Sequence, residues 1–427
     1  MIRALLVAVA LLLIGADVAA ADPEVFAPAY VLSLRATNGG FDWRGRESIT
    51  FTNPGTTPLD RIWVRLWGNG AGGCRSPRAI RVSDVRGARA GAPTVGCTAL
   101  ALDLASPIAP GARGSVSFWV AIRVPRRRDR FGRGGVGMAL LSNALPALAV
   151  REAGAWRLEP YFRLGEAWVY PTADWRVRLR APRGVDVAAP GVPVGGGVRH
   201  LANGRDYSFA AGRGLRRLRA TIEGIRVSVW GVRSSRRARL DIALRRVRRN
   251  LRSLARLYGA YGWPDLQVVI TRATAMEHTA LIMAPEENFV LAHELAHMWW
   301  YALIGSDQAR SPWLDEGFAS YSEGVLAHSV PRCDAPSGAS KLLSRGVDYW
   351  DAHRRSYVVV YFEGACLLQL LDRRLGHARF RAALKAYALA HRYGWHTAAA
   401  FMAAMDAAAG RPGALDDLWF DFGLSTR

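Results

Sequence analysis

The chain of 427 residues has little of what marks small or fibrous proteins. It contains four cysteines, too few to build a compact disulfide scaffold, and we find no internal repeat or low-complexity tract. Apart from its N-terminus it has no long hydrophobic run, so we expect no transmembrane helix. Half of its residues are nevertheless hydrophobic, which is enough for two or three domains with their own cores.

The one long apolar run lies at the N-terminus. It extends from Ala4 to Ile14, follows Arg3, and precedes small residues at 19–21. A short basic start, an apolar run and a small-residue cleavage site are typical of a secretory signal peptide, which we place at 1–21. The run is shorter than the about 20 residues that span a bilayer. We therefore expect an exported protein, either secreted or periplasmic.

The four cysteines fit an exported protein. Cys74 and Cys97 flank a segment rich in glycine and arginine, which a disulfide between them would close. Cys333 lies in a loop and Cys366 in an apolar helical segment. Two alternatives stay open for this second pair, a disulfide or a buried thiol at Cys366.

The chain is also short of acidic residues and almost lacks lysine. It has 57 lysines and arginines against 35 acidic residues, for a net charge of +22, and Lys341 and Lys385 are its only lysines. Arginines cluster at 126–128, 236–237 and 245–249. One interpretation is an electrostatic association with anionic envelope polymers or lipid. The other is that codon bias in a GC-rich genome produces many arginines, which lie on solvated faces without a partner.

Nucleic acid is not an expected partner. An exported chain rarely meets nucleic acid, and the basic clusters are not interleaved with aromatic residues in a recognisable binding motif.

The first half of the mature chain alternates with a period of two. The alternating apolar residues are Ile62, Val64 and Leu66; Val116, Phe118, Val120, Ile122 and Val124; and Trp175, Val177 and Leu179. Alternation of this kind predicts half-buried strands. Turn residues separate the strands. We therefore predict an antiparallel β domain, a sandwich or a saddle-like sheet, at residues 22–224.

The second half changes to helical spacing. Apolar residues recur every three or four positions from Leu240 to Tyr258, and Gly259 and Pro264 follow. Further helical segments extend to the end of the chain. We predict a second domain at residues 225–427, thermolysin-like and mainly helical, so that the whole is an α+β multidomain chain.

The sequence His-Glu-Leu-Ala-His at 293–297 is the strongest chemical signal. Residues four apart on a helix share one face, so His293 and His297 can reach one metal ion at about 2.0–2.1 Å. Glu294 points about 100° away from His293 and is free to hold a water instead. Eighteen residues separate His297 from Glu316, which we predict as the third ligand. Two histidines and a glutamate with an open fourth position are typical of a catalytic zinc site.

A further glutamate supports this interpretation. Glu323 lies two helical turns after Glu316 and therefore shares its face. A carboxylate in that place can accept the free ring N–H of a ligating histidine.

These motifs resemble the gluzincin aminopeptidase family, which includes membrane alanyl aminopeptidase and leukotriene hydrolase. The residues that carry the resemblance are His293-Glu294-Leu295-Ala296-His297, Trp313-Leu314-Asp315-Glu316-Gly317-Phe318-Ala319, Thr274-Ala275-Met276-Glu277-His278 and Tyr361-Phe362-Glu363-Gly364. The segment from Leu141 to Pro182 is similar to the N-terminal β domain of short bacterial members. The resemblance covers nearly the whole mature chain.

The resemblance implies specific roles. Glu294 would activate the zinc-bound water as general base, and Tyr361 would stabilise the tetrahedral oxyanion. Glu277 would bind the free α-amine of the substrate, with Ala275 and Met276 beside it in the substrate-binding segment. One zinc ion is the implied cofactor, and peptides with a free N-terminus are the implied substrates.

Two of these roles have competitors. Tyr357 lies one helical turn before Tyr361 and competes for its role. Glu166 is interpreted either as a substrate contact from the β domain or as a member of a structural ion pair.

The sequence also departs from the family pattern. Thr274 stands where the family has glycine, and His278 where it has asparagine. These changes keep a zinc endopeptidase or amide hydrolase open as the alternative to an exported aminopeptidase. A basic envelope-binding protein with a vestigial zinc site is the third hypothesis. The large helical domain that covers the site in longer members is not expected, so we expect an open cleft.

Overall fold

The computed structural model describes residues 23–75, 77–126, 129–135 and 137–425. The predicted signal peptide and Arg127 and Arg128 of the first arginine cluster lie outside the described residues. Within the described ranges, every helix is too short or too polar to cross a membrane.

The N-terminal part is built from strands joined by turns. These strands are β1 (Ala29–Thr37), β2 (Asp42–Thr52), β3 (Leu59–Arg65), β4 (Ile80–Arg86), β5 (Ala88–Ala90), β6 (Ala99–Ile108), β7 (Arg113–Arg123), β8 (Gly132–Arg133), β9 (Met138–Leu141), β10 (Ala147–Leu148), β11 (Arg151–Glu152), β12 (Ala155–Trp156), β13 (Ala173–Arg180), β14 (Val185–Ala188), β15 (Val192–Pro193), β16 (Val198–Gly204) and β17 (Phe209–Arg213).

In the described residues these strands form four sheets. Their strand orders are β15-β16-β13-β1-β2-β7-β4, β10-β3-β6-β5, β14-β17-β9-β8 and β11-β12. The predicted alternation is confirmed, because every second residue of β7, from Gly114 to Ile122, is buried. The pairing is not wholly antiparallel as predicted, since β1 and β13 run parallel. Parallel neighbours need a long connection, which local alternation does not reveal.

A five-stranded sheet opens the C-terminal part. Its strands are β18 (Arg216–Ile222), β19 (Ile225–Gly231), β20 (Asp265–Ile270), β21 (Met276–His278) and β22 (Leu281–Ala284), in the order β18-β19-β20-β22-β21. The predicted domain boundary at 224/225 falls in the turn between β18 and β19, so this sheet takes one strand, β18, from before the boundary and four from after it.

Helices form the rest of the C-terminal part. The α-helices in the described residues are α1 (Arg237–Tyr258), α2 (Asn288–His297), α3 (Trp313–Ala327), α4 (Val347–Ala352), α5 (Val358–Leu375), α6 (His377–Ala390), α7 (Ala398–Ala409) and α8 (Asp416–Asp421). A π-helical segment, Met298–Leu303, continues α2, and short 3-10 helices occupy Asn38–Gly40, Trp67–Asn69, Ser340–Leu342 and Arg354–Ser356.

Helix α1 illustrates why the sequence folds this way. Leu240, Val247, Leu251 and Leu254 are buried on one face, as the spacing predicted. The last residue of the helix is Tyr258. Gly259 follows and ends the helix, because its φ of 99° is one that a residue with a side chain rarely adopts.

Two cross-links hold loops to this framework. Cys74 is bonded to Cys97, and Cys333 to Cys366 of α5. The structure therefore favours the disulfide over a free thiol at Cys366.

Candidate active site

Helix α2 carries the first part of the site. It passes through the core, and Glu294 and His297 are buried. His293 and His297 lie one turn apart with ring centroids separated by 4.8 Å. Both rings face α3, which packs beside α2.

Helix α3 brings the third predicted ligand to these rings. Glu316 lies in its first turn. Its Oε2 is 3.0 Å from His293 Nε2 and 3.5 Å from His297 Nε2. One ligand atom from each of the three residues lies within 4.8 Å of the others, as a shared metal ion requires. The three predicted ligands are thus brought together.

The outer nitrogen of each histidine contacts its own carboxylate. His293 Nδ1 is 3.1 Å from Glu323 Oε2, as predicted. His297 Nδ1 contacts Asp315 Oδ1, and Gln308 donates to the other oxygen of Asp315. These contacts place the Nδ1 proton on the outer side and leave both Nε2 atoms free as ligands.

The residues fit a zinc ion. Two imidazole nitrogens and one carboxylate oxygen converge, and each imidazole is oriented by a further carboxylate at its outer nitrogen. This donor set is the one expected for catalytic zinc rather than for a closed structural site.

The pKa values show how strongly these groups interact. Burial lowers the pKa of His293, but its hydrogen bonds with Glu316 and Glu323 outweigh this and raise it to about 9. Burial raises the pKa of Glu316, yet the contacts with the two histidines hold it far below its ordinary value. Glu316 is therefore ionised and available as a ligand.

Glu294 lies beside this cluster without belonging to it. Its Oε2 is buried and has no hydrogen-bond partner among the described residues. Burial raises its pKa to about 7, opposed by the charges of the two histidines. A carboxylate with a pKa near neutrality can accept and release a proton at physiological pH.

Strand β21 brings Glu277 to the same place from the edge of the five-stranded sheet. Ligand atoms of Glu277, Glu294 and His297 lie within 4.8 Å of one another. Burial raises the pKa of Glu277 well above its ordinary value. Met276 is buried beside it and Ala275 is exposed at the start of the strand.

His278, the departure from the family pattern, is buried and makes two hydrogen bonds. Its Nδ1 lies 2.6 Å from Asp206 Oδ2, and its Nε2 lies 2.6 Å from Ser142 Oγ. Both partners belong to the N-terminal part, so His278 links β21 to that part. Its ring is occupied there and does not compete with Glu277.

Helix α5 contributes Tyr361 opposite β21. The Tyr361 hydroxyl donates to Glu316 Oε1 over 3.0 Å, and its ring stacks on His293 at 5.9 Å. Tyr357 is buried one turn away, and its hydroxyl has no hydrogen-bond partner among the described residues. The structure places Tyr361 against the predicted ligands and Tyr357 behind it.

The N-terminal part contributes Glu166. This residue is buried, and its Oε1 accepts a hydrogen bond from Arg130 Nε over 2.8 Å. Burial raises its pKa, Arg130 opposes this, and the negative charges of Glu316 and Asp315 add to the rise. Glu166 is therefore in an ion pair and also faces the site, so it combines both interpretations of the sequence.

The site as a whole is short of positive charge. Its buried carboxylates are Glu166, Glu277, Glu294, Asp315 and Glu316. Arg130 is paired with one of them, and the two histidines are held by others. Uncompensated carboxylates in a low-dielectric site attract cations or protons. The arrangement suits a divalent metal ion together with a second, cationic ligand.

Asp315 was not predicted. It immediately precedes Glu316 in the sequence. Since Glu323 was expected to orient one of the two histidines, the need for a similar carboxylate to orient the other was the signal that would have identified it. Ser142 and Asp206 carried no such local signal.

Comparisons with known proteins agree with this geometry. No family profile matches the chain. Thyrotropin-releasing hormone-degrading ectoenzyme of Homo sapiens is 27% identical over 126 residues, which are 25% of this chain and 12% of that protein. Aminopeptidase N of Oryctolagus cuniculus is 31% identical over 119 residues, 23% of this chain and 12% of that protein. The match thus spans a small fraction of the length of these curated relatives.

Solved structures share the fold over far more of the chain. An M1 zinc metallopeptidase from Deinococcus radiodurans superimposes with a TM-score of 0.66 at 18% identity, covering 95% of both chains. A mutant of that peptidase bound to a Tyr-Ser-Ala substrate gives 0.65 at 19% identity, with 95% and 96% covered. These neighbours share a β-rich N-terminal part and a helical C-terminal part with this chain, and M1 relatives indicate a zinc cofactor. The chain is thus similar in sequence to aminopeptidases over about a quarter of its length, and over nearly all of its length it shares the fold of M1 zinc metallopeptidases.

Proposed function

We propose that this protein is an exported zinc aminopeptidase that removes residues from the N-terminus of peptides. The observation that carries the proposal is the excess of buried carboxylate around the predicted ligands. Zinc satisfies part of it at His293, His297 and Glu316. The ammonium group of a peptide N-terminus is the cation that satisfies the rest.

Glu294 acts as the general base. Zinc held by His293, His297 and Glu316 would lower the pKa of a water towards about 7 and would polarise a carbonyl. Glu294 then takes a proton from the attacking water and later delivers it to the leaving amine. Burial, which raises the pKa of Glu294, favours the uptake of a proton that this role requires.

Tyr361 stabilises the oxygen of the scissile carbonyl. Its hydroxyl now contacts Glu316, and rotation away from that oxygen lets it donate to a substrate oxygen that gains negative charge. Burial and Glu316 hold its pKa well above the ordinary value, so the proton needed for donation is present.

Glu277 and Glu166 bind the substrate ammonium group. They approach the site from β21 and from the N-terminal part, and the negative charge of Glu166 contributes to the raised pKa of Glu277. An ammonium group between them is bound favourably because it pairs with both carboxylates. An amide nitrogen inside a longer chain leaves these carboxylates unpaired and is bound less well.

Export is part of the proposal. The two disulfides, Cys74–Cys97 and Cys333–Cys366, support it because such bonds persist in oxidising compartments. A signal peptide at 1–21, a β domain at 22–224 and a thermolysin-like domain at 225–427 complete the proposed organisation. Association of the arginine-rich surface with an anionic envelope remains a proposal.

The test compares one peptide with a free N-terminus and the same peptide after N-acetylation, both offered to the mature zinc-loaded protein. We expect stepwise release of N-terminal residues from the free peptide and none from the acetylated one. Internal cleavage of the acetylated peptide would indicate the endopeptidase or amide hydrolase alternative. Zinc binding without cleavage of either peptide would favour a binding protein.

A further inference from the structure

A second concave site lies far from the zinc ligands, between the five-stranded sheet and the N-terminal part. Its cavity has a volume of about 480 Å³. One wall is the outer face of β18, β19 and β20, and the other consists of residues from β14 to β16. Four arginines line it: Arg199, Arg217, Arg219 and Arg226.

The strand pairing explains why these arginines converge. Arg217 and Arg219 are two residues apart on β18, so both project from one face of the sheet. Arg219 pairs with Ser228 of β19, and Thr221 pairs with Arg226, so all of these share that face. The alternate residues, such as Leu218 and Val227, face α1 instead. The fold thus collects guanidinium groups from two neighbouring strands on one surface.

The one carboxylate in the lining is already saturated. Asp265 accepts hydrogen bonds from Gly191 N and from Gln267 Nε2, each over 3.0 Å. Arg199 Nη2 lies 3.6 Å from Asp265 Oδ2, and Arg199 also donates to the carbonyl oxygens of Pro190 and Gly191. Asp265 and Arg199 therefore balance each other within the wall.

The other three arginines have no carboxylate so close, although the charge of Asp265 also reaches Arg226. Among the described residues, no carboxylate lies within 4.0 Å of the guanidinium groups of Arg217, Arg219 or Arg226. Arg217 instead lies over the ring of Trp230, 4.6 Å from its centroid. Trp230 is itself fixed by a hydrogen bond from its Nε1 to Gln267. Stacking holds one guanidinium in place and leaves its N–H groups directed outward.

We propose that this cavity binds a small oxyanion with more than one negative charge, with phosphate or a phosphate-bearing group as the ligand class. Guanidinium groups bind phosphate oxygens with paired N–H donors. Three guanidinium groups carry more positive charge than one carboxylate would neutralise, which favours an anion with more than one negative charge. Ser228 and Thr221 add hydroxyl donors on the same wall. A free phosphate and a phospholipid headgroup share this chemistry.

The site is separate from the proposed peptidase centre. Glu277 lies on β21, at the edge of the sheet opposite to β18. The lining shares no residue with the zinc ligands or their neighbours. Anion binding here is therefore independent of the proposed peptidase activity.

The test uses the mature zinc-loaded protein and titrates inorganic phosphate by calorimetry at low ionic strength. We expect binding that weakens by about tenfold or more in the double variant Arg219→Gln/Arg226→Gln, since each lost charged hydrogen bond removes a substantial part of the affinity. The control, Arg245→Gln/Arg248→Gln, removes the same charge from exposed positions of α1 and is expected to change the affinity less than about twofold. Circular dichroism checks that both variants fold.

A second arm separates the two sources of phosphate. Co-sedimentation with vesicles of anionic phospholipid, against vesicles of neutral phospholipid, reports a headgroup ligand. Vesicle binding that the cavity variant loses and the α1 variant keeps supports a headgroup, and phosphate binding with the same dependence supports a free ligand. Equal effects of the two variants in both arms, or no binding in either arm, would overturn the proposal.

Discussion

At the residue scale, the metal ligands could be predicted from the sequence because their spacing within helices is local. One helical turn fixes the spacing of His293 and His297 on α2. Glu316 lies in the first turn of α3, the helix that packs against α2. Glu323 followed from the same periodicity. Asp206, Ser142 and Arg130 could not be predicted, because they meet the site only through the packing of the N-terminal part.

Glu294→Gln tests the proposed general base. The amide keeps the shape of the side chain but cannot accept a proton, so we expect zinc content to stay at the wild-type level. We expect kcat to fall by several orders of magnitude, because general-base catalysis alone contributes about 10²–10⁴-fold. Metal analysis alongside steady-state kinetics checks both expectations. Turnover near that of the wild type would rule out the assigned base.

A second residue-scale feature lies outside the site. Glu47 is fully buried on β2, opposite Leu32 and Phe118 of the neighbouring strands. Both of its carboxylate oxygens lack hydrogen-bond partners among the described residues. Burial raises its pKa well above the ordinary value of 4.5. The folded protein therefore holds a proton on Glu47 that the unfolded chain releases above that value.

This gives a pH-dependent stability. From pH 4.5 upward the unfolded state loses a proton that the folded state keeps, so the free energy of unfolding declines by up to about 1.4 kcal/mol per pH unit through this residue. Glu47→Met removes that loss. We expect the variant to be more stabilised at pH 7 than at pH 5, measured by chemical denaturation at both values. An equal effect at the two values would show that Glu47 is not protonated in the folded protein.

At the element scale, long periodic segments were predicted well and their ends less well. The positions of α1, α5, α6 and α7 agree with the apolar spacing. The helix that carries His293 and His297 changes from α2 to a π-helical segment at Met298. Helix α3 begins at Trp313, so that Glu316 lies in its first turn. Apolar spacing does not reveal where an α-helix changes to a π-helix or at which residue a helix begins, because tertiary packing sets the exact hydrogen-bond pattern.

The crossing of α3 and α5 controls where Tyr361 lies. The two helices meet at Gly317 and Gly364, where a Cβ on Gly364 would come within 2.6 Å of the Gly317 Cα. Backbone atoms cannot yield as a flexible side chain can. The absence of both side chains thus allows the Tyr361 hydroxyl to reach Glu316.

Gly364→Ala is therefore expected to push α5 away from α3. We predict a lower kcat with zinc still bound, together with a loss of stability of about 1–3 kcal/mol from overpacking. Kinetics and thermal denaturation measure the two effects. Gly338→Ala is the control, because nothing lies within 4 Å of its added Cβ. A Gly364→Ala variant with unchanged kcat would contradict this account of how Tyr361 is placed.

At the scale of the whole molecule, buried polar contacts join the N-terminal and C-terminal parts. The guanidinium of Arg205 is buried and donates to the carbonyl oxygens of Tyr170 and Gly394. Arg157 donates to Asp307 over 2.8 Å. These contacts, like that of His278 with Asp206, hold the two parts together so that the charge of Glu166 reaches Glu277.

The sequence predicted a β-rich part followed by a helical part, but not how they meet. Periodicity identifies which residues of a strand or helix are buried, whereas the contact between two parts depends on residues distant in the chain. The family resemblance supplied the roles of Glu277 and Tyr361, and the structure supplied Arg130 as the partner of Glu166 and Asp315 as the partner of His297.

The most direct test of the central claim is the selectivity for a free N-terminus. We would measure kcat/KM for one peptide in its free and N-acetylated forms, with the wild-type protein and with Glu277→Gln, both zinc-loaded. The account predicts strong selectivity for the free form in the wild type and its collapse in the variant, because the carboxylate that binds the ammonium group is lost. Equal rates for both forms in the wild type, or selectivity unchanged by Glu277→Gln, would contradict it.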